Sequence, residues 1–73
     1  MRWKGTIKEY AEKLVDDFTF LVYHNEEDCS MLFADLYKYE VDEIMNKCSQ
    51  LGFDHQSIPI DDGDYWKLKI IVL

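Results

Sequence analysis

The apolar positions Ile7, Tyr10, Ala11, Leu14, Val15 and Phe18 recur at the period of an amphipathic helix and predict a first helix over residues 6–17. Thr6 opens it as an N-cap, and Glu9, three residues on, completes the form of a capping box in which its side chain reaches back to the Thr6 amide. Glu9 and Lys13 stand four apart in the order that supports a helix. The next run, Phe18 to His24, is dense in aromatic and β-branched residues and predicts a strand. Asn25-Glu26-Glu27-Asp28 then predicts a hairpin turn. Residues 29–37 fit two patterns. Cys29, Met31 and Phe33 alternate with Ser30, Leu32 and Ala34 as in a returning strand apolar on both faces. Phe33, Tyr37, Val41, Ile44, Cys48 and Leu51 also sit at helical spacing. The strand is preferred, because one helix over 30–51 would leave the first strand without a hairpin partner.

Val41, Ile44, Met45, Cys48 and Leu51 define a second helix over residues 40–51. Gly52 follows as a residue able to take positive φ, with Phe53 placed to fold back on the last turn. Residues 56–60 extend into a third strand, which Pro59 assigns to a sheet edge. Asp61-Asp62-Gly63-Asp64 forms a turn around an Asp-Gly pair. The last strand, 65–73, places Trp66, Leu68, Ile70 and Val72 on one face. The order α-β-β-α-β-β predicts an α+β fold: a small single domain over residues 1–73, an antiparallel sheet with helices packed on it.

Composition narrows the class. A chain of 73 residues has room for one core, and 48% apolar with 15% aromatic residues sustains it without staples. Two cysteines are too few for a disulfide scaffold, so Cys29 and Cys48 are expected as buried free thiols in a cytoplasmic protein. No stretch reaches the length of a membrane-spanning helix, and the N-terminus lacks the apolar run of a signal peptide.

Charge adds a direction. The formal net charge is −7, which disfavours direct contact with nucleic acid or an anionic membrane surface and favours basic partners. Residues 1–15 and 65–73 each carry a net +2, whereas residues 16–64 hold 13 acids and two bases. The element order places those acids. If the first strand runs up, the second comes down, the second helix climbs back and the third strand descends. Asp16, Asp17, Glu40, Asp42, Glu43, Asp61, Asp62 and Asp64 therefore gather at one pole, with Glu26, Glu27, Asp28 and Asp54 at the other. Glu40, Asp42 and Glu43 suit a helix N-terminus, and the aspartates of 61–64 suit a turn. Asp16 and Asp17, at a helix C-terminus, oppose the dipole and point to a selected surface. The plain alternative is a solvated end.

Other chemistry finds little support. His24, Cys29, Cys48 and His55 lack the short Cys-x2-4-Cys knuckle of a zinc site. A Cys29–Cys48 disulfide would need an export signal, and no oxyanion loop accompanies a Cys–His pair. Residues 61–72 do not fit a calcium loop, because the twelfth position is Val72. There is no glycine-rich phosphate loop. No cofactor, metal or catalytic residue is therefore expected, and exposed turn acids lack the desolvation that tunes a catalytic carboxylate. Trp66, Phe18, Phe20 and Phe33 read as core, while Trp3, Tyr39 and Tyr65 have no inward assignment and are free to anchor a partner.

The functional expectation is a small acidic inhibitor or adaptor that binds a basic protein surface through Asp16, Asp17, Glu40, Asp42, Glu43, Asp61, Asp62 and Asp64. In its sharper form it is a DNA mimic that occupies a nucleic-acid-binding groove. Its profile, though no motif, is that of phage-encoded anti-defence proteins, including anti-CRISPR proteins. The alternative is a structural or regulatory interaction module that binds by a sheet edge or by homodimerisation.

Overall fold

The computed structural model describes all residues from 1 to 73. Its elements are α1 (Ile7–Leu14), β1 (Leu21–Asn25), β2 (Ser30–Leu36), α2 (Lys38–Leu51), β3 (His55–Asp61) and β4 (Trp66–Val72). The α+β class and the expected order α-β-β-α-β-β both hold, and residues 30–36 are the returning strand rather than an extension of the helix. The strands form one antiparallel sheet in the order β1-β2-β4-β3, so the strand carrying Pro59 lies at an edge. Neither helix is long and apolar enough to cross a membrane.

Pairing shows which face is covered. Met31 opposes Ile70 and Phe33 opposes Leu68, and these four are fully buried beneath Ile7, Tyr10, Ala11 and Leu14 of α1 and Val41, Ile44 and Cys48 of α2. Both helices thus pack on the same face, with apolar side chains removed from water supplying most of the driving force. The opposite face carries Leu32, Lys69 and Ile58 in one row across the sheet and Ser30, Ile71 and Gln56 in the next, with no helix upon it.

Three local departures from the expected pattern shape the molecule. The first helix ends at Leu14, because Val15 is extended (φ −138°, ψ 149°) and the Asp17 carboxylate accepts the Thr19 N–H at 2.8 Å, closing a turn that a helix cannot continue. Strand β1 therefore begins only at Leu21, and Phe18 and Phe20 lie in the connecting loop, 38% and 42% exposed; the expectation that they belong to the core is wrong. In β2 the alternation breaks at Asp35, which adopts φ 58° within a bulge between Phe33 and Leu36. Without the bulge Asp35 would face the core; with it, Leu36 turns inward and Asp35 outward.

The N-terminal segment is tied down by Trp3. Its indole donates to the Thr6 carbonyl at 2.9 Å, and its ring packs edge-on against Tyr10 and Phe53 at 5.3 and 5.0 Å. Trp3 is thus part of the core margin, not a free anchor. Its ring also passes 2.7 Å from where a Cβ on Gly5 would stand, so only glycine fits there. Lys13 lies over the same ring at 5.9 Å instead of pairing with Glu9. Thr6 caps the Glu9 amide at 3.1 Å, but its hydroxyl donates to the Glu9 carboxylate, so only half of the capping box forms. Gly52 closes α2 at φ 77° as expected, and Phe53 packs on Trp3 and Tyr10.

Candidate functional site

The direction of each element decides where the carboxylates fall. Helix α1 begins beside the β1–β2 turn, since the Glu26 carboxylate accepts the Ile7 N–H at 2.9 and 3.0 Å and the Lys8 N–H at 3.3 Å. Its far end, with Asp16 and Asp17 beyond it, therefore lies where β1 starts and β2 finishes. The same end holds the start of α2, and Asp61 opposes Trp66, which in turn opposes Leu36. All eight predicted acids share this pole.

They divide into two groups. Asp16, Asp17, Glu40 and Glu43 rim a cavity of about 280 Å³ whose floor includes Leu14, Phe33, Leu36 and Ile44. The base in the rim, Lys47, donates to the Leu14 carbonyl at 3.1 Å and so caps the C-terminus of α1. Asp61, the last residue of β3, and Asp62 and Asp64 in the turn that follows do not line the cavity. Asp61 accepts the Gly63 N–H at 3.0 Å, and Asp62 lies 3.7 Å from the Lys67 ammonium. Asp42 turns to Lys38, one turn earlier on α2, at 2.7 Å.

Aromatic rings bridge the two groups. Tyr37, Tyr39 and Tyr65 are exposed, with Tyr37 stacked on Tyr39 at 5.9 Å and tilted against Tyr65 at 5.8 Å. Phe20, Asp35, Tyr37, Glu40 and Tyr65 line a second cavity of about 420 Å³, which adjoins the first through Phe20 and Glu40. Of these residues, sequence patterning placed Glu40 at the pole and left Tyr65 free. It missed Phe20, Tyr37 and Asp35. The lone acid in a strand whose other residues after Ser30 are apolar was the available signal for Asp35.

Electrostatics at this end is that of solvated acids held by local bonds. The Thr19 backbone N–H, then its hydroxyl, hold the Asp17 carboxyl below the usual carboxylate value. That bond also gives Asp17 a structural role, so its presence is less anomalous than a helix-terminal placement would make it.

The opposite pole uses three of its four acids internally. Glu26 caps α1, Asp28 accepts from the Asn25 amide at 3.2 Å, and Asp54 sits 3.4 Å from the N-terminal ammonium. Cys48 is buried as expected, but Cys29 lies exposed in the β1–β2 turn at φ 52°, and both are free thiols. His24 and His55 stand on the two edge strands, paired with Met31 and Val72, so the sheet separates them. No three His, Cys, Asp or Glu side chains come together as a metal site. No protein-family model matches this chain, and comparisons with curated proteins and with solved structures find no match.

Proposed function

We propose that this protein is a small inhibitor or adaptor that sets its acidic pole against a basic, nucleic-acid-binding protein surface, in its sharpest form as a DNA mimic of the anti-defence type. The observation that carries it is the coincidence of charge and rings. Four carboxylates around one cavity and three exposed tyrosines lie at the same end of a 35 × 22 × 20 Å molecule. Clustered acids supply the long-range attraction that backbone phosphates supply in nucleic acid. Aromatic rings beside a charged rim supply the desolvated contact that holds a partner once it arrives.

The test is an affinity capture from a host lysate at low and high salt, repeated in the presence of duplex DNA. A second bait carries Asp→Asn at positions 16, 17, 61, 62 and 64, since Asn retains the acceptor oxygens that Thr19 and Gly63 use. Capture of a nucleic-acid-binding protein that DNA displaces, that salt weakens and that the altered bait loses is the expected result. Capture by both baits regardless of salt and DNA would overturn it.

A second reading has its own observation. The uncovered sheet face exposes Ile58 and Ile60. Association through that face, or along the β3 edge, would depend on protein concentration and resist salt. Lys67 and Lys69 lie on the same face beside these isoleucines.

A further inference from the structure

We infer that the 420 Å³ cavity between the β2 bulge, the start of α2 and the β3–β4 turn is a receptor for an arginine side chain of the partner, an assignment that rests on the acidic pole being the partner surface. Three aromatic residues, Phe20, Tyr37 and Tyr65, line it together with two carboxylates, Asp35 and Glu40. Ring faces attract cations through their quadrupole, and carboxylates accept the N–H groups of a guanidinium in a plane.

One carboxylate is held, and the other is turned toward solvent, before any ligand arrives. Glu40 Oε1 accepts the Tyr37 N–H at 2.8 Å, and Asp35 is aimed outward by its bulge at φ 58°. The chain's own cations at this end are engaged elsewhere. Lys38 binds Asp42 at 2.7 Å and lies 5.4 Å from the centre of the Trp66 ring, Lys47 donates to Leu14 at 3.1 Å, and Lys67 faces Asp62 at 3.7 Å. No ammonium pairs with Asp35 or Glu40.

Planarity and weak hydration favour guanidinium over ammonium here. The Tyr37 and Tyr65 rings are 5.8 Å apart at 47°, too close to clasp a compact cation between them. A flat group can instead stack on a single exposed ring. A guanidinium is planar and weakly hydrated and can present its N–H edge to two carboxylates while stacked; an ammonium is a strongly hydrated point charge. The helix dipole at the start of α2 disfavours a cation, and the nearby Glu40 carboxylate offsets it.

Two peptides of equal charge, one alternating arginine with serine and one alternating lysine with serine, are titrated by calorimetry at low salt into the wild type, Tyr37→Ala, Tyr65→Ala and Asp35→Asn. The arginine peptide should bind more tightly than the lysine peptide by up to about fivefold, the most that an exposed ring contact made by the guanidinium alone would add. That preference should vanish in both alanine variants, which leave the charge unchanged, and return in Tyr37→Phe and Tyr65→Phe, which keep the ring faces. Asp35→Asn, which tolerates positive φ, should weaken the arginine peptide more than the lysine peptide. Equal binding of both peptides, indifferent to the tyrosines, would overturn the arginine receptor and leave the acidic pole standing. Binding of neither peptide would overturn both.

Discussion

Tyr10 and Cys48 are the side chains whose chemistry the fold displaces furthest. Both are fully buried, and the Tyr10 hydroxyl has no hydrogen-bond partner, with the Cys48 thiol as its polar neighbour. Burial, with smaller effects from Cys48, raises the phenol well above its ordinary 10.0. Burial likewise pushes the Cys48 thiol from 9.0 up to about 11, against a smaller opposing effect of Tyr10. Both groups keep their proton in the folded state beyond the pH at which the unfolded chain releases it. Stability is therefore whole below about pH 9 and falls as pH rises from 9.0 towards about 11. For Cys48 the loss across that window is roughly 2–3 kcal/mol. Urea unfolding at about pH 8 and about pH 10.5 measures it, with Cys48→Ala expected to show the flatter profile. A wild-type midpoint that does not move would contradict the account. Cys29, in its exposed turn, should meanwhile react with a thiol reagent while Cys48 stays protected in the native protein.

At the scale of elements, α1 illustrates how little a short helix does by itself. Eight residues are fewer than an isolated helix needs, so α1 depends on groups supplied from elsewhere. Thr6 and the Glu26 carboxylate take its first N–H groups, Lys47 of α2 takes the Leu14 carbonyl, and its apolar stripe enters the core. Glu26 both caps the helix and ties it to the β1–β2 turn, 19 residues away in sequence. Glu26→Ala should lower stability by about 1–2 kcal/mol, the cost of a lost charge-assisted cap. In a domain of this size that corresponds to a Tm reduced by roughly 4–8 °C per kcal/mol, read in a thermal melt. No change in Tm would mean that the cap contributes nothing. Thr6 was legible as the cap, but the part played by Glu26 was not, because an acid in a hairpin turn carries no local mark of the helix end it faces. Asp35 is similar. Its bulge turns Leu36 into the core, and strict alternation along β2 predicts the reverse for both residues.

For the whole molecule, the governing quantity is the crowding of like charge at one end. The carboxylates of the 16–17 loop, the α2 N-terminus and the β3–β4 turn share one pole of a body 22 × 20 Å in its shorter dimensions. The screening length is about 30 Å in 10 mM salt and about 10 Å in 100 mM, so dilute buffer leaves these charges repelling one another. Raising NaCl from about 10 mM to about 0.5 M should raise the Tm by a few degrees, and the five-fold Asp→Asn variant should show a smaller response. A wild-type Tm indifferent to salt would show that its acids are too well separated to interact. The same field is what the proposed function relies on to attract a basic partner, with the exposed tyrosines beside it as the contact surface.

The sequence by itself determined the class, the element order and the pole at which the acids meet. Hydrophobic period reports helix or strand locally, Gly52 and Asp62-Gly63 mark their turns, and the parity of up and down elements follows from connectivity alone. Tertiary structure decided the rest. It set the sheet order β1-β2-β4-β3, ended α1 at Leu14, and exposed Phe18, Phe20 and Cys29 while drawing Trp3 into contact with Tyr10 and Phe53. It also brought Phe20, Asp35, Tyr37, Glu40 and Tyr65, from four separate segments, around one cavity. The reason is physical. Local pattern encodes which backbone conformation a segment prefers, whereas burial depends on which distant side chains have already filled the space beside it.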